Sequence, residues 1–86
     1  MTTTLESLIS AVAAALEGEP GHTLKAWSKG DHQRIYVTRY GRQNRGYISY
    51  RSDDDGEIDA ECIDTSQLDI AGVSDYSMHQ AIMSRI

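Results

Sequence analysis

Cysteine, long apolar runs and positive charge outside one segment are all scarce in this chain of 86 residues. The single cysteine, Cys62, cannot form an intramolecular disulfide, and the sequence has no charged-then-apolar leader and no apolar run of membrane-spanning length. We therefore expect a cytoplasmic protein without a membrane segment. The net charge of −5 argues against nonspecific nucleic-acid binding by the whole molecule, because phosphate affinity comes from accumulated cations. It leaves room for a local basic face.

The residue patterns of metal and catalytic sites are also missing. His22, His32 and His79 have no ligand spacing with one another or with Cys62, so we expect no zinc site. The acidic stretch after Arg51 aligns in part with a calcium-binding loop, but Arg51 and Cys62 occupy its first and twelfth ligand positions. Strand parity points Cys62 inward, which is typical of a small apolar residue rather than of a nucleophile paired with His79. We expect no enzyme activity, no metal ion and no cofactor.

Two segments have the apolar spacing of helices. Residues 3–17 repeat apolar side chains at three- and four-residue steps. Thr3 and Glu6 have the spacing of a capping box, and Gly18 and Pro20 supply a stop. Ser74 is predicted to cap a second helix that runs to the last residue. The apolar residues that define the two helices are Leu5, Leu8, Ile9, Val12 and Leu16 in the first, and Met78, Ile82 and Ile86 in the second.

Between residues 22 and 64 the apolar period changes to two, which predicts four strands. Turn-forming residues at 29–32, 41–44 and 54–56 separate the strands, and the last turn is a three-residue loop with Gly56 in the left-handed conformation. Closing these loops predicts a register in which like faces stay together. The predicted pairs are Trp27 with Arg34, Thr38 with Tyr47, and Arg51 with Asp59.

The predicted fold is one α+β domain, residues 1–86, in which both helices cover one face of a four-stranded antiparallel meander. A chain of this length buries roughly 60–65% of its unfolded surface, enough for one modest core. Leu68, Ile70 and Val73 suit either a short edge strand or a packed loop, so the structure of residues 65–73 stays open. The predicted covered face consists of Leu24, Ile35, Val37, Ile48, Tyr50 and Ile58.

Positive charge is concentrated between residues 25 and 51, where seven Lys or Arg residues are opposed only by Asp31. Alternation puts several of them, with aromatic residues, on the sheet face that the helices leave uncovered, which we call the open face. Interleaved rings and guanidinium groups are typical both of protein hot spots and of surfaces that stack on bases. The same residue types also stabilise a wet sheet face without any partner. The partner-binding residues that we predict on this face are Trp27, Arg34, Tyr36 and Tyr47.

Negative charge follows at once, with seven carboxylates between residues 53 and 64. In an extended strand, Glu57, Asp59 and Glu61 would stand at intervals of ~7 Å, about the spacing of backbone phosphates, so the row would imitate DNA or occupy a basic groove. Charge on an edge strand also protects against aggregation, which needs no partner. The partner-binding residues that we predict here are Asp53, Asp54, Asp55, Glu57, Asp59 and Glu61.

In small size, acidic charge, an α/β meander between helices and a carboxylate-rich hairpin, the chain resembles the small inhibitors that phages encode, including anti-CRISPR proteins. No residue motif defines that group, so the resemblance implies a way of working: occupying a partner's nucleic-acid-binding groove or interface without chemistry. We therefore predict a non-enzymatic binding module for a protein partner, as a monomer or a small homo-oligomer. The alternative is a domain that binds single-stranded RNA or DNA through the open face.

Overall fold

In the part of the chain that the structure describes, two α-helices and a short 3-10 helix accompany two antiparallel sheets, which confirms the α+β class and corrects the predicted four-stranded meander. The computed structural model describes residues 2–18, 20–70 and 72–86. Strands β2, β3 and β4 form a three-stranded meander, and β1 pairs with β5 in a separate sheet. The elements are β1 (Thr2–Thr4), α1 (Leu5–Ala15), β2 (His22–Lys29), β3 (His32–Arg39), β4 (Gln43–Ser49), β5 (Glu57–Asp59), a 3-10 helix (Ala60–Cys62) and α2 (Asp75–Met83).

The beginning of the chain is a strand where we predicted the first turn of a helix. Thr3 pairs with Ile58 of β5, and α1 begins after Thr4, whose hydroxyl oxygen accepts a hydrogen bond from the Ser7 N–H at 3.1 Å. The capping box predicted at Thr3 is therefore wrong by one residue. Threonine occupies three successive positions here, and each is a good cap; all three pair with β5, and the last of them, Thr4, stands at the helix end.

The turn between β3 and β4 is tighter than the predicted loop at 41–44. Tyr40 and Gly41 both have positive φ angles, 55° and 66°, and the Arg42 N–H donates to the Arg39 carbonyl at 3.2 Å. Arg39 pairs with Gln43, so the loop consists of three residues, 40–42, one fewer than predicted. Tyr40 consequently lies in the turn.

The register of this hairpin differs from the predicted one at the turn, and β4 also contains a bulge. Thr38 pairs with Asn44, but the next pair on the same face joins Tyr36 to Tyr47, so the predicted pairing of Thr38 with Tyr47 is wrong. The extra residue is accommodated at Gly46, which has a φ of 93° and donates its N–H to the Asn44 side chain at 2.9 Å. Reading alternation with a constant period of two cannot detect an inserted residue.

Residues 64–69 run beside the outer edge of β4 and take the place that we predicted for the fourth strand of the meander. Asp64 and Ser49 exchange two backbone hydrogen bonds, at 2.9 and 3.1 Å. The Asp69 N–H donates to the Arg45 carbonyl at 2.9 Å. This edge of the meander is therefore covered.

The segment that we left open, residues 65–73, is a packed loop in its described part, and Ala71 lies outside the described residues. The Gln67 backbone passes so close to β4 that a Cβ at Gly46 would overlap the Gln67 carbonyl oxygen. Glycine is therefore needed at this position for two reasons, its positive φ and the close approach of another backbone.

Strand β5 ends at Asp59, although the two-residue period predicted strand structure as far as residue 64. The Asp59 carboxylate accepts a hydrogen bond from the Glu61 N–H at 3.0 Å and begins the 3-10 helix. A 3-10 turn advances three residues per turn, which breaks the alternation of a strand. Cys62 is consequently exposed, contrary to our prediction, and Ile63 is buried.

The core forms where both helices meet the apolar side of the meander. Ser74 caps α2 by accepting a hydrogen bond from the Ser77 N–H at 3.1 Å, as predicted. Gly56 has a φ of 81°, which confirms the three-residue loop before β5. Within the described residues, neither helix combines the length and the apolar character required to cross a membrane. The largest fully buried side chains are Leu8, Val12, Ile35, Val37, Ile48, Ile58 and Ile82.

Candidate partner-binding surface

The open face of the meander brings together four of the residues predicted to bind a partner. Trp27 pairs with Arg34 across β2 and β3, as predicted, and Tyr36 pairs with Tyr47 across β3 and β4. Directly paired residues share a face of the sheet, and strand neighbours alternate, so these four lie opposite the buried Ile35. We call Trp27, Arg34, Tyr36 and Tyr47 the aromatic cluster.

The four side chains of the aromatic cluster contact one another in a chain. Trp27 meets Tyr36 edge to face, with ring centroids 6.1 Å apart and an interplanar angle of 69°. The Tyr36 and Tyr47 rings are tilted by 56°, with centroids 5.7 Å apart. Arg34 lies over the Tyr47 ring, 4.2 Å from its centroid. Edge-to-face pairs and an exposed cation–π contact each contribute about 0.5–1 kcal/mol, so the cluster holds itself together.

Arg34 is fixed by a hydrogen bond as well as by the ring beneath it. Its Nη1 donates to the Tyr36 hydroxyl at 3.2 Å. This hydrogen bond, with smaller contributions from the Tyr47 and Tyr36 hydroxyls, raises the pKa of the Arg34 guanidinium above its ordinary value. The cluster therefore presents a permanent positive charge in a defined position.

The ring faces of the cluster are unequally available to a ligand. Tyr36 lies between Trp27 and Tyr47, and Arg34 covers Tyr47 from its side. Trp27 is the open member, with 39% of its surface exposed, and it lies on β2 at the margin of the sheet. A ligand therefore meets one accessible indole beside a block of packed side chains. This is not a row of free ring faces.

Strands β2, β3 and β4 contain no Asp or Glu at all. Lys25 pairs with Tyr36 and therefore stands on the open face next to the aromatic cluster. Lys29 follows on the same side of β2, where it is exposed, and pairs with His32. The charged residues that the three strands contribute to the open face are thus Lys and Arg, which favours an acidic ligand.

A polar cleft of about 280 Å³ adjoins the aromatic cluster at the end of the sheet nearest the β2–β3 turn. Arg34 and Tyr47 line it on the cluster side, and Arg51 and Asp64 line it on the other. Hydrogen bonds from Ser66, first the backbone N–H and then the side chain, lower the pKa of the Asp64 carboxyl below its ordinary value. This carboxylate offsets part of the positive charge of the two arginines.

The predicted row of carboxylates along β5 is wrong beyond Asp59. Glu57 and Asp59 belong to the strand, but Glu61 lies in the 3-10 helix, so the spacing of a strand is lost. The Asp59 carboxylate is engaged with the Glu61 N–H. Asp53 is engaged too, because one of its oxygens accepts from the N–H groups of Asp55 and Glu57, both at 2.9 Å. Two of the six predicted acidic contacts thus hold the local backbone.

The acidic residues around the hairpin loop are exposed, and we call Asp53, Asp54, Asp55 and Glu57 the acidic tip. The three-residue loop holds them close together, since the Asp53 N–H donates to the Glu57 carbonyl at 2.8 Å. Arg51 is placed at the boundary: it lines a groove with Asp53, Glu57 and other residues, and it also lines the polar cleft. The isolated bridge between Ser52 and Ile58 has the register that we predicted for Arg51 and Asp59.

Gln33 is a residue whose role the sequence pattern does not reveal. Its amide nitrogen donates to the Ser52 hydroxyl at 2.6 Å, and its amide oxygen accepts from the Ser52 N–H at 2.8 Å. The Gln33 carbonyl also accepts from the Tyr50 N–H at 3.1 Å. Gln33 thereby fixes the acidic hairpin to the meander. A glutamine near the start of a strand carries no recognisable signal of such a contact.

Among residues 2–18, 20–70 and 72–86, no group of three or more His, Cys, Asp or Glu side chains is placed to hold a metal ion. The surface features that could serve a function are the aromatic cluster, the basic open face around it and the acidic tip. No protein-family model, curated protein or solved structure matches this chain.

Proposed function

We propose that this protein is a non-enzymatic binding module that attaches to a protein partner through the aromatic cluster, with the acidic tip as a second contact. In its sharpest form it is a phage-type, anti-CRISPR-like inhibitor that works in the cytoplasm and occupies the nucleic-acid-binding groove or interface of a nucleic-acid-handling complex. The observation that carries the proposal is an aromatic cluster that is assembled on an exposed sheet face before any partner arrives.

Preassembly supports a protein interface for an energetic reason. Trp, Tyr and Arg are the residue types that dominate hot spots, and their cost on binding is the rotamer freedom that they lose. In the aromatic cluster the Arg34 side chain is already held by Tyr36 and Tyr47, so less freedom remains to be lost. Arg34 covers the Tyr47 ring and Tyr36 is in contact with rings on both sides, so the cluster fits packing against a protein better than stacking with successive bases, which requires free ring faces.

The acidic tip supports the choice of a partner that normally binds nucleic acid. Asp54, Asp55 and Glu57 project from the loop as exposed carboxylates close to one another. Lysine and arginine side chains of a nucleic-acid groove would relieve the repulsion among these carboxylates and would steer the association.

The test is capture of partners from the native host, followed by binding measurements with the purified partner. We expect Trp27→Ala and Arg34→Ala each to weaken binding about 30-fold or more, the effect of a hot spot of about 2 kcal/mol. Tyr76→Ala is the matched control, because Tyr76 is an exposed aromatic residue on α2. Equal binding by wild type, Trp27→Ala and Arg34→Ala would refute the aromatic cluster as the interface.

The contribution of the acidic tip is measured separately with Asp54→Asn, Asp55→Asn and Glu57→Gln combined. This variant keeps Asp53, whose carboxylate holds the loop. We expect slower association with the partner, a weaker dependence on salt, and loss of competition with the partner's nucleic acid. Unchanged affinity and salt dependence would show that the tip does not enter a basic groove.

Direct binding of single-stranded RNA or DNA is the second candidate function, and the absence of Asp and Glu from β2, β3 and β4 favours it. Stacking of a base on Trp27 would quench its fluorescence, and the affinity would fall steeply with salt. Titration with an oligothymidine at low salt decides the matter. Quenching that Arg34→Ala diminishes would support this function, and constant fluorescence would eliminate it.

A further inference from the structure

Strand β2 is the long uncovered edge of the meander in the part of the chain that the structure describes. The opposite edge, on β4, is occupied by residues 64–69, whereas β2 is paired on one side only, with β3. Its eight residues contain no proline, and the last five are all exposed, although Ala26 is on the same side of the strand as the core. An edge of this length is a template for another strand.

The hydrogen bond between the Tyr40 N–H and the Gly21 carbonyl, at 2.8 Å, shows which backbone groups of β2 are available. It marks Gly21 and Tyr40 as a hydrogen-bonded pair of the antiparallel ladder, in which such pairs alternate with non-bonded ones. Lys25 and Trp27 belong to the second and third hydrogen-bonded pairs after this one, so they direct their N–H and C=O groups toward β3. In the exposed part of β2 and next to it, the residues whose backbone groups face the open edge are Leu24, Ala26 and Ser28.

We propose that β2 accepts an extended acidic segment of the protein partner as an additional strand of the meander. The inference rests on the proposed function, since it names the kind of segment that the partner would insert. Backbone hydrogen bonds at Leu24, Ala26 and Ser28 would supply the pairing, and the open face would supply the selectivity.

The charge of the open face selects an acidic segment. Lys25 and Lys29 flank Trp27 on this face, and no Asp or Glu of the three strands competes for them. They are four residues apart, which is ~13 Å in an extended strand, so glutamates at the same spacing would lie opposite both. An apolar residue between the two glutamates would lie opposite the exposed indole of Trp27.

A second copy of this chain is a poorer occupant for the same reason. Pairing β2 with β2 would bring Lys25 and Lys29 of each copy onto one edge, with no acidic residue of the meander to neutralise them. Lysines on an edge strand are a common device against such self-pairing. The two lysines thus oppose association between copies and favour an acidic partner.

The test uses the full chain and a labelled synthetic peptide of eight residues, the length of β2. The peptide carries glutamate at its third and seventh positions, valine at the other odd positions and threonine at the even positions. Binding is followed by fluorescence anisotropy. One version is N-methylated at the alternate residues whose N–H groups would face β2, and a second at the other alternate residues. We expect saturable binding that the first methylation pattern weakens at least about tenfold and the second leaves unchanged.

The protein is varied at Ala26. Ala26→Pro removes an N–H that faces the open edge, where proline is tolerated. We expect this substitution to weaken binding of the peptide about tenfold. Ala26→Val, the matched control, keeps the N–H and should bind like the wild type. Replacing both peptide glutamates by glutamine should also lower the affinity of the peptide about tenfold at low salt.

Several outcomes would overturn strand addition: no saturable binding, equal binding of the two methylated peptides, or full binding to a folded Ala26→Pro. A dimer that Ala26→Pro abolishes would identify a second copy as the occupant. The open face would be identified as a nucleic-acid surface if an oligothymidine displaced the peptide and also bound Ala26→Pro as well as the wild type. If the tests of strand addition fail while Trp27→Ala still weakens binding of the captured partner, the proposed function stands and strand addition is rejected.

Discussion

Replacing Gly46 with alanine tests how the chain closes the β4 edge. At a φ of 93°, an L-residue costs about 1–2 kcal/mol more than glycine. The added Cβ would overlap the Gln67 carbonyl oxygen and lie 2.9 Å from the Gln67 carbonyl carbon and 3.2 Å from the Leu68 Cα. These are backbone atoms, so residues 64–69 must move, which strains the hydrogen bond between Asp69 and Arg45 and loosens Leu68 against the core. We expect a total loss of about 3 kcal/mol in the free energy of unfolding.

The matched control is Gly30→Ala, because Gly30 also has a positive φ, 60°, but a Cβ there would meet no atom within 4 Å. Both substitutions reduce the freedom of the unfolded chain equally and place alanine at a positive φ, so the difference between them comes mainly from the contact with residues 64–69. Urea unfolding followed by circular dichroism should show Gly46→Ala less stable than Gly30→Ala by about 2 kcal/mol, a midpoint lower by about 1–2 M. Equal midpoints would refute the close approach of Gln67 to β4.

Three further predictions concern local features. Burial raises the pKa of the Tyr50 phenol above 10.0, so the folded state keeps this proton longer and the free energy of unfolding should fall as the pH rises past that value. Measured by urea unfolding between about pH 9 and 11, the free energy of unfolding should depend less on pH in Tyr50→Phe than in the wild type. The same slope against pH in both proteins would contradict this prediction. Thr4→Ala should cost about 1 kcal/mol in urea unfolding, and Thr2→Ala only a few tenths; the reverse order would refute the cap. Cys62 is exposed, so its thiol should react completely with DTNB in folded protein without denaturant; strong protection would contradict its position.

Local signals were read correctly where a few neighbouring residues decide the structure. The spacing of Leu8 and Val12 predicted a buried helix face, and Ser74 and Gly56 occupy the cap and the loop position expected of them. The pairing of Trp27 with Arg34 was also correct, since a short turn sets the register beside it. From that register, Trp27, Arg34 and Tyr36 could be placed on the open face.

The wrong predictions concern strands and pairs that depend on distant parts of the chain. The bulge at Gly46 makes room for residues 64–69, which lie about twenty positions further along the chain and whose approach no local pattern announces. Without the extra residue, the register set by Thr38 and Asn44 would place Tyr47 opposite Ile35; the bulge places it opposite Tyr36 and so completes the aromatic cluster. The strand of Thr3 likewise depends on Ile58, far away in the sequence.

Amino-acid order alone dictated the helices, the two-residue periodicity and the separation of basic from acidic residues, because these properties follow from side chains within one or two turns of one another. It also placed three members of the aromatic cluster on one strand pair. Tertiary contacts decided which edge of the meander stays open, which ring packs beside Tyr36 and which carboxylates remain free at the acidic tip. These outcomes depend on backbone groups satisfied across long loops, and such hydrogen bonds are determined only when the whole chain is packed.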